Sequence, residues 1–307
     1  MTQKLCTTAK RFGDRAIVCS VNVLSTIEND VEALKNSDHY GDAAKASVLH
    51  FYNFTPPETD FPVRSLILVA KAEPIVNVLF CLNGKEIPVF TPNPYRDARK
   101  PFEEPSHYLK KLFNENNYRL QEWGWGGPPH KMLAVRTGFA KYGRNNLAYV
   151  NGLGSHHSLE LFVSDYECRV TKVHELQQME QCKSCKKCIN ACPTQAINAE
   201  RKQITAERCL TYLNEFVDLC DFPGWLDSAA HHGMHGCIRC QLACPMNKAA
   251  IITPVSFNED ETRMILDGVS QNDLPEETRN KLEAVGELDY LHLLPRNLSA
   301  VFSRMCH

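Results

Sequence analysis

The chain has 307 residues, with 34 Lys and Arg against 36 Asp and Glu, a net charge of -2 and 43% hydrophobic residues. That length is a prior of about two domains with ample material for a core, and the composition is that of an ordinary globular protein. A chain this close to neutrality lacks the basic excess of a dedicated nucleic-acid binder, and no run of eighteen apolar residues is present to span a membrane.

MTQKLCTTAKRFGDR has neither an apolar signal core nor twin arginines, so no export signal is expected. Up to about residue 60 the pattern is faint. AIVCSVNVL is apolar enough for burial and NDVEALKNSD carries a weak helical period. From Ser65 the signal sharpens. SLILVAKA reads as a central strand, and IVNVLFCL followed by Asn83-Gly84 and KEIPVF reads as a hairpin. Pro88 confines the last of these strands to an edge or a bulge. After the proline-rich TPNPYRDARKPFEEPS, the stretch SHYLKKLFNENN places Tyr108, Leu109, Leu112 and Phe113 on one helical face, expected to be core.

WGWGGPP then sets Trp123 and Trp125 around Gly124. Two tryptophans can cover a large flat cofactor, or simply close a core edge. HKMLAVRTGFAKY reads as a helix opened by Pro129 and stopped at Gly143. RNNLAYVNGLGSHHSLELFVSD reads as two strands around a glycine-containing loop, so Arg144, Asn145 and Asn146 fall on the turn between helix and strand. Such donors suit amide or phosphate groups of a ligand, although polar turns are usually only solvated.

The most informative stretch runs from Cys182 to Cys244. In CKSCKKCINACPT, Cys182, Cys185, Cys188 and Cys192 follow the C-x-x-C-x-x-C-x-x-x-C-P spacing of a [4Fe-4S] ferredoxin run. GCIRCQLACPMN repeats its close with Cys237, Cys240 and Cys244, and Cys209 stands alone between them in RCLTYLNE. Three-residue steps let thiolates of one loop meet three corners of a cubane, while the fourth cysteine reaches the other cluster. By that rule Cys182, Cys185, Cys188 and Cys244 hold one cluster, and Cys192, Cys209, Cys237 and Cys240 the other. A zinc ribbon also pairs C-x-x-C steps, yet zinc requires neither the third close cysteine nor the prolines. The remaining Cys6, Cys19, Cys81, Cys168, Cys220 and Cys306 are scattered like reduced thiols of a cytoplasmic protein.

HHGMHGC places His231, His232 and His235 just before Cys237. They read as a loop more readily than as metal ligands. Lys183, Lys186 and Lys187 either solvate the first run or dock an acidic electron donor. Beyond Ile251 the chain reads as a short, partly helical extension. DETRMILDGV is amphipathic, and DLPEETRNKLEAVG has Asp273 as cap, Pro275 early and Gly286 as stop.

AVRTGFAKYGRNNLAYVNGLGSHHSLELFVSD, followed by the two cysteine runs and RCLTYLNE, resembles the epoxyqueuosine reductase family and, more distantly, the reductive dehalogenases. The resemblance covers about residues 65 to 250. It implies an α+β chain: a nitroreductase-like cobalamin-binding domain over residues 1–175, a bacterial-type two-[4Fe-4S] ferredoxin domain over 176–250, and a helical C-terminal extension over 251–307. It further implies base-off cobalamin above the turn Gly143, Arg144, Asn145 and Asn146, next to the nearer cluster, where Trp123 and Trp125 are the candidates to cover its face. Tyr142 or Arg144 would then be proton donor or anchor. The family's acidic proton donor lies fourteen positions before the equivalent of Gly138, where this chain has Gly124. The family's tRNA-binding repeat domain has no counterpart here, so tRNA is not the expected substrate.

Two functions compete at this point. One is a cobalamin-dependent reductase of a small molecule, fed by a low-potential donor such as a ferredoxin or flavodoxin. The other is an electron-transfer protein that reduces the corrinoid of a partner. Epoxyqueuosine reduction in tRNA is a third reading.

Overall fold

The computed structural model of the chain describes residues 1–38, 40–91, 103–124, 126–168, 172–199, 203–215 and 221–303. The helices in chain order are α1 (Thr2–Arg11), α2 (Val23–Lys35), α3 (Asp42–Ala44), α4 (Glu103–Asn114), α5 (His130–Arg136), α6 (Lys187–Ala191), α7 (Leu210–Glu215), α8 (Arg239–Leu242), α9 (Glu259–Leu266), α10 (Glu276–Ala284) and α11 (Leu294–Ser303). The strands are β1 (Arg15–Ser20), β2 (Ser65–Ala72), β3 (Ile75–Leu82), β4 (Lys85–Thr91), β5 (Leu120–Glu122), β6 (Ala140–Tyr142), β7 (Ala148–Val150), β8 (His157–Ser164) and β9 (Ile251–Phe257). The class is α+β. The described residues divide into two units, one from 1–72 and 98–185 and the other from 73–97 and 186–307.

The first unit is built on an antiparallel sheet in the order β1-β2-β8-β5. SLILVAKA is apolar at consecutive positions because β2 is covered on both faces. Leu66, Leu68 and Ala70, with Leu161 and Val163 of β8, meet α2 and α5. Ile67, Val69 and Phe162 point the other way, onto α1 and α4. There Tyr108, Leu109, Leu112 and Phe113 are buried, as the helical face predicts.

The helix expected through Tyr142 stops at Arg136. Gly138 lies at φ +73°, a left-handed conformation that ends a helix, and Ala140–Tyr142 instead pairs with β7. The turn carrying Arg144, Asn145 and Asn146 therefore joins two strands, not a helix and a strand. A hydrophobic period of 3.6 persisted only because Phe139 and Tyr142 pack on the same core by another route.

In the second unit β3 lies between β4 and β9. The hairpin turns at Asn83 (φ 52°) and Gly84 (φ 72°), the two positive angles its tight loop requires. Pro88 sits on the edge strand β4, opposite Leu79. β9 adds in parallel, pairing Ile75 with Ile251 and Phe80 with Phe257. This strand is absent from the sequence reading of the tail. α9, α10 and α11 bury Ile265, Leu282, Leu298 and Val301 against Val76, Val78, Phe80 and Phe257. Asn258 and Glu261 form a reciprocal capping box on α9. Helix α10 begins after Pro275 rather than at an Asp273 cap, because Asp273 is engaged by the Ser270 hydroxyl. Among the described residues, no helix is long and apolar enough to cross a membrane.

Candidate functional site

The turn between β6 and β7 is closed by its own backbone. Gly143 N–H donates to the Leu147 carbonyl at 2.8 Å, and Asn146 N–H to that of Gly143 at 3.0 Å. Asn146 is left-handed at φ 61°. A Cβ at position 143 would collide with both Asn145 Oδ1 and the Tyr149 ring, so the turn closes only around glycine. Asn145, 4% exposed, braces it from within by donating its amide to the Tyr149 hydroxyl at 3.1 Å.

The chain leading into the first cysteine run is zipped along this region, all within the first unit. His174 N–H donates to the Arg136 carbonyl at 2.8 Å, and the Arg136 guanidinium returns a bond to the His174 carbonyl at 2.9 Å. Asp30 grips the same guanidinium at 2.5 and 2.7 Å. Farther on, Tyr142 N–H donates to the Gln177 carbonyl at 2.9 Å and its own carbonyl accepts from Met179 N–H at 2.8 Å. Arg144 completes the series by donating to the Cys182 carbonyl. Gly138 permits the close approach, since a Cβ there would lie 2.7 Å from the His174 ring.

Tyr142 is partly buried against the first core. Burial, then the neighbouring Tyr52, Tyr40 and Asp30, push its phenol above the usual range, with Arg136 opposing. It holds its proton at neutral pH. Trp123 is 5% exposed within the core, its indole against Gly127. Trp125 lies outside the described residues, as do Cys220 and Cys306. The structure thus gathers Tyr142, Gly143, Arg144, Asn145 and Asn146 on one turn and sets Trp123 into the packing beneath the sheet.

The cysteines sit at the ends of short helical turns, where thiols can project without extended secondary structure to hold them back. Cys182 closes a one-turn helix and Cys185 follows it at the end of the first unit. In the second unit Cys188 lies on α6, Cys192 caps it, and α6 packs on α8, which bears Cys240. The Cys209 carbonyl accepts from Leu213 N–H at 3.0 Å, opening α7. Each of the eight residues is half-buried as a whole, while the thiols of Cys209 and Cys237 lie deep in the packing.

Burial pushes the Cys237 thiol up to about 12, and the nearby Cys209 and Cys192 add to it. Cys209 is raised by burial, with backbone N–H groups of Thr211 and Tyr212 opposing and Cys192 contributing further. Three thiols from three separate stretches therefore share one neighbourhood, with Cys240 three residues beyond Cys237. That donor set suits a thiolate-ligated iron-sulfur cluster, whose irons stabilise the charge that burial alone penalises.

Among the described residues, the histidine loop forms no group of three side chains placed to hold a metal ion. His235 is fully buried with Nδ1 2.7 Å from Glu287 Oε2, its ring stacked on Tyr290 at 4.4 Å. Burial alone would lower its pKa, but the Glu287 carboxylate outweighs it and favours imidazolium. The hydroxyl of Thr91 donates to the other carboxylate oxygen. Nothing local in the sequence of the tail marks Glu287, because its partners come from elements far away in the chain.

Residues 181–247 match the family described as a 4Fe-4S double cluster binding domain, and the chain carries such a domain there. The epoxyqueuosine reductase of Aliivibrio fischeri is 30% identical over 151 residues, which cover 47% of this chain and 39% of that protein. The chain thus spans well under half the length of that curated relative. Among solved structures, epoxyqueuosine reductase from Streptococcus thermophilus is similar with a TM-score of 0.61 at 16% identity, covering 100% of this chain and 82% of the other. An epoxyqueuosine reductase solved with a tRNA-Tyr epoxyqueuosine-modified stem loop gives a TM-score of 0.61 at 17% identity, covering 97% and 79%. The fold is shared, and the resemblance carried by the glycine turn and cysteine runs is borne out.

Proposed function

We propose that this chain is an iron-sulfur reductase of a small substrate, whose cysteine runs would hold two [4Fe-4S] clusters as electron carriers and whose turn from Gly143 to Asn146 would hold base-off cobalamin. The observation that carries the reading is the bond from Arg144 to the Cys182 carbonyl, because it joins the glycine turn to the loop bearing the first thiols. Cobalamin bound there would supply a reducible cobalt able to act on substrate, chemistry that no side chain offers.

The chain's own residues have separate tasks. Cys182, Cys185, Cys188 and Cys244 hold one cluster, and Cys192, Cys209, Cys237 and Cys240 the other. Gly143 keeps the turn free of a side chain, Asn145 braces it, and Arg144 anchors the cluster loop to it. Tyr142, kept neutral by burial, retains a proton for the substrate side of the reaction. An external low-potential donor such as a ferredoxin or flavodoxin refills the clusters.

Epoxyqueuosine reduction is the second reading, favoured by the neighbour solved with a modified tRNA stem loop. Against it stands Gly124, which is exposed, meets no described residue beyond its chain neighbours within 4 Å of where a Cβ would lie, and has no acidic side chain to give a proton. Anaerobic reconstitution with cobalamin tests the main reading. The expected product is a stoichiometric complex whose Co(II) EPR spectrum lacks nitrogen splitting from the lower base. Protein that takes up iron but retains no corrinoid would sink it in favour of the electron-transfer reading. Nucleoside mass spectrometry of tRNA incubated with the loaded protein distinguishes the remaining pair, and no useful queuosine formation is expected.

A further inference from the structure

Of the four thiols assigned to the second cluster, Cys209 alone has no cysteine close to it in sequence. Cys240 lies on α8, Cys237 precedes that helix by two residues, and Cys192 caps α6, which packs on α8. Cys209 must be placed by something else. It opens α7, in which the carbonyls of Leu213 and Asn214 both accept from the Arg296 guanidinium at 3.1 and 3.0 Å. The Asn214 amide, fully buried, donates to the Gly236 carbonyl at 3.0 Å, directly before Cys237. Asn297, also fully buried, donates to the Met234 carbonyl at 2.9 Å and reaches that of Asn214 at 3.4 Å. The Arg296 guanidinium lies over the Phe222 ring at 4.4 Å, which fixes its plane.

We propose that Asn214, Arg296 and Asn297 form a positioning clamp that sets the span between Cys209 and Cys237, so that one cluster depends on helix α11 for its assembly while the other does not. The clamp acts through backbone carbonyls and touches no thiol. It joins the end of the helix that Cys209 opens to the loop that delivers Cys237, and its two amides stand in a dry interior where a lost partner is not replaced by water. This inference rests on the two ligand sets given above and not on the corrinoid.

The test uses the full chain, reconstituted anaerobically with iron and sulfide, with Asn297→Ala and Arg296→Leu as variants. Wild-type protein should hold about eight irons. Each variant should hold about half that number, and the magnetically coupled EPR signal of two reduced clusters should give way to the simple signal of one. Arg296→Lys, which keeps a donor, should recover part of the loss. Val301→Ala loosens the same helix without touching the clamp and should keep the full iron content and the coupled signal. Circular dichroism identifies folded variants; if Asn297→Ala does not fold, the Arg296 pair carries the comparison. Folded Arg296→Leu and Asn297→Ala proteins with wild-type iron and an unchanged coupled signal would overturn the clamp. Wild-type protein with half the iron, or with zinc, would overturn the ligand sets instead.

Discussion

At position 143 a single methyl group is too much. Its nearest neighbours would be the Asn145 oxygen and the Tyr149 ring, both buried and bonded to each other's residue. Gly143→Ala should therefore cost about 1–3 kcal/mol as an overpacking change and weaken corrinoid retention, read from the denaturation midpoint and from cobalt content after desalting. The sequence marked this glycine as part of a turn, but the crowding that makes it necessary comes from Tyr149 on the next strand. His156 was not marked at all, since adjacent histidines in a glycine-rich stretch read as loop. Its Nε2 is buried with no hydrogen-bond partner among the described residues, and burial, then the nearby His157, lowers its pKa to about 4. The unfolded imidazole takes up a proton near pH 6.5 and the folded one does not until about pH 4. The unfolded state thus binds more protons across that window, and stability falls as pH drops through it, by at most about 3 kcal/mol from this group. Chemical denaturation at pH 7 and pH 5 should show a shallower loss for His156→Leu than for the natural protein.

Elements were legible where their cause is local. The cysteine runs declare themselves because cubane geometry constrains spacings of three residues, and the hairpin at Asn83-Gly84 because two positive φ angles demand such residues. The HKMLAVRTGFAKY stretch misled because its apolar positions satisfy a helical period, while the change to strand after Gly138 depends on pairing with β7. β9 was hidden for a related reason. IITPVSF carries a proline and is largely exposed, and its strand character comes from β3, far away in sequence. Cysteine function divides along the same line. Cys209→Ser should remove about half of the roughly eight irons by damaging one cluster, whereas Cys81→Ser, on β3 of the hairpin, should leave the iron content unchanged. Colorimetric iron and sulfide assays decide both.

For the whole molecule, class and cofactor chemistry were readable in the cysteine spacing and the glycine turn. Substrate choice is decided at this scale, because a proton donor must meet cofactor and substrate together. Gly124 has room for a larger residue, yet an acid there would still need a bound substrate presented to it. Gly124→Asp alone should not yield queuosine in tRNA on nucleoside mass spectrometry; its appearance would make epoxyqueuosine the better substrate assignment. The placement of β3 between β4 and β9 has a consequence in time. During synthesis the hairpin emerges long before the strand that completes its sheet, as the pairing of Ile75 with Ile251 requires. Until then Val76, Val78 and Phe80 lack the phenylalanine and the helices that finally cover them. Such distant pairing is slow to form and leaves apolar edges open, so the nascent chain passes through a vulnerable interval that ends only when β9 and the helices that follow it have emerged.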